Sequence, residues 1–402
     1  MSHLNRRQAL RLFAAAGAAG MTAPILSACS SGSGDSADST SVPSGPPVKI
    51  GMIVPQTGAL KDLGNELDNG FTLYLQTHGN KLGGREVTLV KVDEGETGDT
   101  GKAAAEKLIK EEKVLALTGV VNPQSMLAMK ETVEAGQIPL VGSNASPSAL
   151  QGAKYIWRTS FISTEPAQAI APWVATNGGG GIAVVGQAGA GGDDEDVRAF
   201  VDNLRSVNGN LAGTPRTTPY GSKDFAGVLA QVKNSGATAM YASYSGATAI
   251  EFVKAYRNAK FPSTFKLFAP GGLTEGYVLK QLGDAAKDIY TALNYSPDLD
   301  NAANRRFIAD YQKSFGTIPS TYAMASYDAA AVLDKAITDA TKSLDSFSLN
   351  AAIGRLGQID SPRGGWQFSQ NRAPLQRWYL RQVRADGAVL SNVLTAELTT
   401  LG

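Results

Sequence analysis

The sequence predicts an α/β fold with parallel β-sheets, arranged as two similar lobes with a ligand cleft between them. Short apolar, β-branched runs alternate along the chain with stretches of helical length, a pattern typical of strands that helices cover on both faces. Polar loops rich in glycine, serine and asparagine follow these runs in two sets of three. Because ligands bind outside the carboxyl ends of parallel strands, the two sets predict two binding edges that face each other.

The predicted strands are continuous apolar runs, as expected for strands that are buried on both faces. They are residues 48–54, 87–92, 114–117, 138–141, 182–185, 237–242 and 265–269. The predicted helices between them include residues 101–112, 125–135, 197–207 and 247–259. Several of the polar loops lead directly into these helices, where backbone N–H groups at the helix N-terminus are available to an acceptor or anion.

The composition excludes several classes of function. The 402 residues carry 37 basic and 36 acidic side chains, a net charge of +1, so nothing in the charge favours a nucleic-acid partner. One cysteine and two histidines cannot form an intramolecular disulfide or supply a four-ligand zinc site. We therefore expect no metal and no cofactor.

The N-terminus has the pattern of an export signal. Basic residues within 5–11 precede a short apolar stretch over 12–26, which is too short to cross a bilayer. The segment Leu26-Ser27-Ala28-Cys29 resembles the lipobox of bacterial lipoproteins, and the pair Arg6-Arg7 resembles the twin-arginine signal. This resemblance implies a signal peptide over 1–28 and a lipid anchor on Cys29 at the outer face of the cell membrane. Residues 29–47 lack aromatic side chains and are predicted to form a flexible tether.

An ordered series of short motifs runs from about Val48 to the end of the chain. The motifs are Pro55–Gly58, Gly64, Asn69-Gly70, Leu82–Val87, Asp93, Gly119, Ile138-Pro139, Tyr155–Thr159, Gly283–Ala286 and Tyr322–Ala329. The series resembles the type I periplasmic solute-binding proteins, in the leucine/isoleucine/valine-binding branch that serves ABC importers.

The resemblance implies two Rossmann-like lobes that are joined by three crossovers and close on a ligand by hinge motion. Carried onto this chain, the first lobe comprises residues 48–163 and 294–370. The second lobe comprises residues 164–293 and 371–402. The implied partners are a small-molecule solute and the permease and ATPase of an ABC importer. A sensor of the same fold that docks on a membrane kinase or chemoreceptor is the alternative.

The residues that bind an amino acid in this family do not transfer to this chain. By loop position, the first serine falls on Pro123, the threonine on Ala145 and the carboxylate that holds the ammonium group on Gly271. A buried ammonium group without an acidic partner loses a charge-assisted hydrogen bond of roughly 1.5–3 kcal/mol. We therefore predict an amide, a urea-like compound or a carboxylate as the ligand, rather than a standard amino acid.

The predicted ligand-binding residues lie in the polar loops, where neutral amides and hydroxyls both donate and accept hydrogen bonds. Tyr244 is predicted either to cover an apolar part of the ligand or to pack in the core. Asp193 is either a first-turn acid that complements a helix dipole or the missing ammonium partner. The full set is Asn122, Gln124, Ser125, Ser143, Asn144, Ala145, Asp193, Tyr244, Ser245 and Gly271.

Catalysis has little support in the sequence. The chain contains no Gly-x-Ser-x-Gly elbow and no phosphate-binding loop. His78 precedes a turn at a predicted helix C-terminus, where a cationic side chain is favourable. A hydrolase with a carboxylate pair remains a third possibility, but the expected function is binding without turnover.

Overall fold

The computed structural model describes residues 45–188, 195–219, 221–340, 344–387 and 389–402, and it confirms the predicted two-lobe α/β fold. The strands are β1 (Val48–Val54), β2 (Lys81–Leu82), β3 (Arg85–Asp93), β4 (Ala116–Gly119), β5 (Leu140–Gly142), β6 (Ile156–Arg158), β7 (Ile182–Gln187), β8 (Arg216–Thr218), β9 (Ala239–Ser243), β10 (Lys266–Pro270), β11 (Tyr290–Leu293), β12 (Gln367–Phe368), β13 (Pro374–Asp386) and β14 (Val389–Leu401).

Eleven α-helices lie among the described residues. They are α1 (Lys61–Thr77), α2 (Gly98–Lys110), α3 (Pro123–Gly136), α4 (Glu165–Asn177), α5 (Glu195–Ser206), α6 (Ala226–Lys233), α7 (Gly246–Asn258), α8 (Tyr277–Leu282), α9 (Ala302–Phe315), α10 (Thr321–Asp339) and α11 (Ser346–Ile353). The predicted histidine position is confirmed, since α1 ends at His78, whose ring stacks on Tyr74 at a centroid distance of 3.9 Å.

The two sheets share the same arrangement of their parallel strands. The six-stranded sheet of the first lobe has the order β2-β3-β1-β4-β5-β6. The eight-stranded sheet has the order β12-β13-β11-β10-β9-β7-β8, with β14 paired to β13, and it belongs to the second lobe except for β12, which packs on the first-lobe core through Phe368 and reaches this sheet by pairing with β13. When the five parallel strands of each lobe are counted along the chain, both sheets read 2-1-3-4-5. This is the doubly wound order of flavodoxin-like folds.

Helices cover both faces of each sheet, so the central parallel strands are almost fully buried, whereas β3 and β8 are more exposed. In the first lobe α1, α10 and α11 pack on one face and α2 and α3 on the other. In the second lobe α4 and α5 pack on one face, while α6, α7 and α8 pack on the other. The continuous apolar character of runs such as residues 48–54 follows from this double burial.

The chain passes between the lobes three times, at residues 159–164, 294–301 and 369–373. The long C-terminal hairpin of β13 and β14 was not predicted. It adds antiparallel strands beside β11, and its turn lies at the Asp386-Gly387 pair, where Gly387 has a φ of +69°. An Asp-Gly pair between two alternating segments is a hairpin signal.

Candidate functional site

Each lobe has one topological switch point, where adjacent strands lead to connections on opposite faces of the sheet. It lies between β1 and β4 in the first lobe and between β7 and β9 in the second. Ligands of open parallel sheets bind outside the carboxyl ends of the strands at such points. The loops that follow these strands and their neighbours are therefore the candidate site.

The turn after β4 has a strained backbone. Gly119 and Val120 both have positive φ, at +97° and +67°, a conformation that is rare for a β-branched residue. The surroundings hold this turn in place, because Val120 N donates to Ile53 O at 2.8 Å and Ala145 N donates to Val120 O at 3.0 Å. Strain of this kind concentrates at ligand-binding sites, and here it lies at the switch point of the first lobe.

A loop of acidic residues after β3, which we call the acidic loop (residues 93–96), holds two neighbouring loops by their backbone N–H groups. Asp93 accepts hydrogen bonds from Gln56 N at 2.9 Å and from Thr57 Oγ1 at 2.6 Å. Glu96 accepts from Ala59 N at 2.8 Å. The loop after β1 is thereby fixed from the side of β3.

Glu94 of the acidic loop holds the strained turn itself. Its two carboxylate oxygens accept from Val121 N and Asn122 N, each at 2.8 Å, and the residue is fully buried. Burial raises the pKa of Glu94 to about 7, although the hydrogen bonds from these two N–H groups oppose the shift. Sequence reasoning missed this residue.

The three predicted residues at the start of α3 shape its N-terminus. Asn122 caps the helix by accepting from Gln124 N at 2.9 Å, and its amide donates to Glu96 O at 3.2 Å. The buried Ser125 donates to Thr97 O at 3.2 Å. Their ligand contacts remain predictions, but the side chains of Asn122 and Ser125 are engaged in building the loop.

The loop after β5 contains a buried hydroxyl that has no hydrogen-bond partner among the described residues. Asn144 donates to Val121 O at 2.9 Å, and the backbone N–H of Ala145 is bonded to the strained turn. Ser143 is 1% exposed, and its Oγ has no hydrogen-bond partner among the described residues. The buried Oγ of Ser146 is likewise without a partner there. Buried hydroxyls are normally satisfied, so Ser143 and Ser146 differ in this respect from Asn144, which is bonded within the fold.

Two of the predicted residues in the second lobe are packed tightly. Tyr244 is buried and stacks on Phe252 at a centroid distance of 4.4 Å. Gly271 packs so closely against Leu293 that a Cβ atom at this position would lie 2.5 Å from Leu293 Cδ1. The absence of a carboxylate at position 271 therefore has a structural reason, since no side chain fits there.

Two other residues in the second lobe, Ser245 and Gln187, are not packed in this way. Ser245 is exposed at the start of α7, and its side chain makes no capping hydrogen bond. Gln187, which sequence reasoning did not single out, ends β7 at the switch point, and its buried Oε1 has no partner within the described residues. The predicted Asp193 and Cys29 lie outside the described residues.

The cleft rims of the two lobes touch each other. Ser148, which follows β5, donates from its backbone N and its Oγ to the carboxylate of Glu195, the first residue of α5. The loop after β5 in the first lobe and the start of α5 in the second are therefore in direct contact.

A buried hydrogen-bond network joins the three crossovers. Ser160 O, in the first crossover, accepts from Asn294 Nδ2 at 3.2 Å in the second and from Gln376 Nε2 at 2.9 Å next to the third. Arg363 Nη1 donates to the same oxygen at 3.2 Å. Arg158 contacts the third crossover, where its backbone N donates to Arg372 O at 2.9 Å and its Nη2 donates to Asn371 O.

The described part of the chain has neither a membrane-spanning helix nor a cluster of metal-binding side chains. No helix there is both long enough and apolar enough to cross a membrane. No group of three or more histidine, cysteine, aspartate or glutamate side chains there is placed to hold a metal ion.

Comparisons with known proteins agree with this architecture. The pattern of the periplasmic binding protein family matches residues 47–388. The Leu/Ile/Val-binding protein homolog 6 of Brucella melitensis is 30% identical over 357 residues, which cover 86% of this chain and 90% of the relative.

Solved structures show the same fold. An ABC-transporter solute-binding protein of R. palustris in complex with benzoate has a TM-score of 0.78 and 28% identity, covering 87% of this chain and 97% of its own. A solute-binding protein of Rhodopseudomonas palustris BisB5 in complex with 3,4-dihydroxybenzoic acid has a TM-score of 0.81 and 28% identity, covering 89% and 98%. With its two doubly wound lobes, its cleft and its relatives, the chain belongs to the periplasmic binding protein family, as an extracytoplasmic solute-binding protein of an ABC transporter and not an enzyme.

Proposed function

We propose that this protein is the lipid-anchored receptor of an ABC importer and that it captures a small aromatic carboxylate of the benzoate type. The observation that carries the proposal is a pair of polar side-chain atoms without partners among the described residues, one at the carboxyl end of a parallel strand in each lobe. Ser143 in the first lobe offers a buried hydroxyl, and Gln187 in the second offers a buried amide oxygen. Similar proteins bind benzoate and 3,4-dihydroxybenzoic acid in the same fold.

In this proposal the carboxylate of the ligand lies against the first lobe. The hydroxyls of Ser143 and Ser146 are donors without partners within the described chain, and a hydroxyl that donates to a carboxylate makes a charge-assisted hydrogen bond. The N-terminus of α3 lies beside the same loop, since Asn144 donates to Val121 O, and its dipole favours a negative charge.

The opposite end of the ligand meets the second lobe. Gln187 Oε1 is an acceptor and therefore suits a hydroxyl or an N–H group on the far side of an aromatic ring. A 4-hydroxybenzoate molecule offers a carboxylate at one end and a hydroxyl donor at the other. An amide or a urea-like compound, which the sequence also allows, offers a donor to Gln187 but no negative charge to the first lobe.

A standard amino acid fits the described part of the cleft less well. Its ammonium group needs an acidic partner, and position 271 has no room for one, because Leu293 occupies that space. Asp193 would be the acid that takes this role if an amino acid bound. The choice between the two classes is therefore open to a direct binding experiment.

The test is a calorimetric titration with benzoate, 4-hydroxybenzoate, benzamide and leucine. We expect both benzoates to bind, and a ligand at about 100 times its Kd to stabilise the protein by roughly 2.7 kcal/mol. Benzamide serves as the matched control, because it keeps the ring and removes the charge. Tight binding of leucine without binding of the benzoates would overturn the proposed ligand class.

Anchoring and delivery are tested separately. Mass spectrometry of the mature protein should show an acylated Cys29 at its N-terminus, and a Cys29→Ser variant should leave the membrane fraction. Vesicles that contain the permease and ATPase should accumulate labelled 4-hydroxybenzoate only when the receptor is present. Association with a membrane kinase in place of such uptake would favour the sensor.

A further inference from the structure

We propose that Ser148 and Glu195 form an interlobe latch, which stabilises the closed arrangement of the lobes and slows the release of the solute. The inference rests on the proposed function, because it assigns to that cleft a contact that regulates how long it stays closed. We call Ser148 and Glu195 the latch.

The geometry of the latch is that of a charge-assisted clamp. Ser148 N lies 3.3 Å from Glu195 Oε1 and 3.2 Å from Glu195 Oε2. Ser148 Oγ lies 2.5 Å from Glu195 Oε2. Both hydrogen-bond donors of one residue therefore end on a single carboxylate, and donors that face an ionised acceptor form the stronger hydrogen bonds of proteins.

The position of the latch makes it sensitive to closure. Ser148 begins a 3₁₀ turn, Ser148–Leu150, on the first lobe, and Glu195 begins α5 on the second. Both lie at the carboxyl edges of their sheets and outside the three crossovers. Since the crossovers are the only covalent connections between the lobes, the latch bonds are made when the rims approach and are lost when they separate.

A second contact between the lobes, made by Glu275, is connected to the crossovers. Glu275 of the second lobe accepts from Thr321 N of the first at 2.8 Å, and its other oxygen pairs with Arg381 at 2.8 Å. Thr321 Oγ1 in turn donates to Asn294, a member of the crossover network. The Glu275 contact is thus connected to the crossover network. Two further hydrogen bonds also join the lobes, from Tyr277 N to Glu66 Oε1 at 3.2 Å and from Lys280 Nζ to Thr317 Oγ1 at 2.6 Å. The latch is the contact between the loop after β5 and the start of α5.

The energetic consequence follows from linkage. In the open protein Ser148 and Glu195 are hydrated, and in the closed protein they satisfy each other, so the latch favours only the closed state. A solute that is enclosed by both lobes leaves after opening. Loss of one solvent-accessible, charge-assisted contact should therefore accelerate dissociation about three- to tenfold and leave association nearly unchanged.

Glu195 also stabilises its own helix, and the experiment has to distinguish this effect from the contact with Ser148. It lies in the first turn of α5, where an acidic side chain complements the helix dipole. Ser148 belongs to the other lobe and has no part in that effect. A double-mutant cycle therefore distinguishes the two roles, because only a direct contact makes the two substitutions non-additive.

The experiment compares full-length wild type with the Ser148→Ala, Glu195→Ala and double variants. The matched control is Glu251→Ala, which removes an exposed glutamate that pairs with Lys254 at 3.5 Å on α7. Small-angle scattering without ligand measures the separation of the lobes, and stopped-flow fluorescence measures the dissociation of benzoate. We expect a larger radius of gyration and faster dissociation in the three latch variants, with the double variant no more affected than either single variant.

Each outcome is decisive. Unchanged scattering and dissociation in Ser148→Ala, together with lower thermal stability alone in Glu195→Ala, would make Glu195 a helix-end residue and overturn the latch. If wild type does not bind benzoate, the proposed ligand class fails. In that case the scattering of the ligand-free proteins still tests the latch independently of the ligand. An identical radius of gyration in wild type and the three latch variants would refute the latch.

Discussion

Asp328 Oδ2 and Arg363 Nη2 lie 2.6 Å apart in an ion pair that is 0% and 2% exposed, directly beneath the crossovers between the lobes. The same carboxylate oxygen accepts from Ser361 Oγ at 2.8 Å and from Trp366 Nε1 at 3.0 Å. Arg363 in turn donates to Ser160 O, the oxygen at which the crossovers meet. The pair thus anchors the hinge to α10.

We predict that Asp328→Ala destabilises the protein by about 3–5 kcal/mol, because it leaves the Arg363 guanidinium buried without its counter-ion. Urea denaturation measures the change. Asp300→Ala is the control, since Asp300 and Arg305 form an exposed pair whose loss should cost less than about 1 kcal/mol. Equal losses in the two variants would contradict a special role for the buried pair.

Glu94 should make the stability depend on pH. Its pKa is about 7 in the folded protein against an ordinary value of 4.5, so the folded state binds the proton more tightly than the unfolded chain. The stabilisation is complete below about pH 4.5 and is lost as the pH rises through about 7. A shift of this size corresponds to on the order of 3 kcal/mol.

The measurement is the free energy of unfolding of wild type and Glu94→Gln between pH 5 and pH 8. We expect the wild-type value to fall with rising pH and the variant to lose part of that slope. Glu66 and Glu165, whose pKa values burial also raises to about 7, remain in both proteins, so the stability of the variant still falls with rising pH, but less steeply. Parallel curves for the two proteins would show that Glu94 does not titrate in this range.

Gln187 should set the preference between ring substituents. Replacing its unpartnered amide oxygen by an apolar side chain in Gln187→Leu should weaken 4-hydroxybenzoate about tenfold and benzoate hardly at all, because benzoate lacks the hydroxyl. Calorimetry with both ligands measures the ratio. Ser143→Ala is the complementary variant, and it should weaken both ligands equally. An equal loss for both ligands in Gln187→Leu would place Gln187 away from the hydroxyl.

Gly271 should not tolerate any side chain. Gly271→Ala places a Cβ atom 2.5 Å from Leu293 Cδ1, and we expect a loss of about 1–3 kcal/mol from overpacking. Gly227→Ala, inside α6, is the control, since no atom lies within 4 Å of its new Cβ. That variant should gain stability by about 0.5–1 kcal/mol through helix propensity. Thermal unfolding of both variants checks the opposite signs.

The sequence was sufficient to predict seven of the ten parallel strands, because these strands leave apolar runs, but it did not predict the short strands β6, β8 and β11. The C-terminal hairpin was missed because its two strands leave no such apolar run. In β13 buried and exposed residues alternate over 374–378, and no residue of β14 is fully buried, so neither strand resembles the apolar runs of the other strands. Their pairing depends on β11, which is distant in the sequence.

The loops of the site were predictable, but the directions of their side chains were not. Ser125 lies in a predicted loop and faces α2, since a Cβ atom on Gly101 would lie 2.3 Å from Ser125 Cβ. Glu94 was missed because its partners, Val121 and Asn122, follow it by 27 and 28 residues. Such contacts depend on which strands are neighbours, and the order of strands is not written in any local pattern.

The shared acceptor at Ser160 has a mechanical consequence for the protein. Three separate chain connections would allow the lobes to slide, tilt and twist independently. Here Asn294 and Gln376 bind the same carbonyl oxygen, and Asn294 Nδ2 also lies 2.8 Å from Gln376 Oε1. The three connections are therefore coupled, and we expect them to bend together about one hinge axis. Capture of a solute thereby reduces to a single angular coordinate, and one distance across the cleft is enough to follow it.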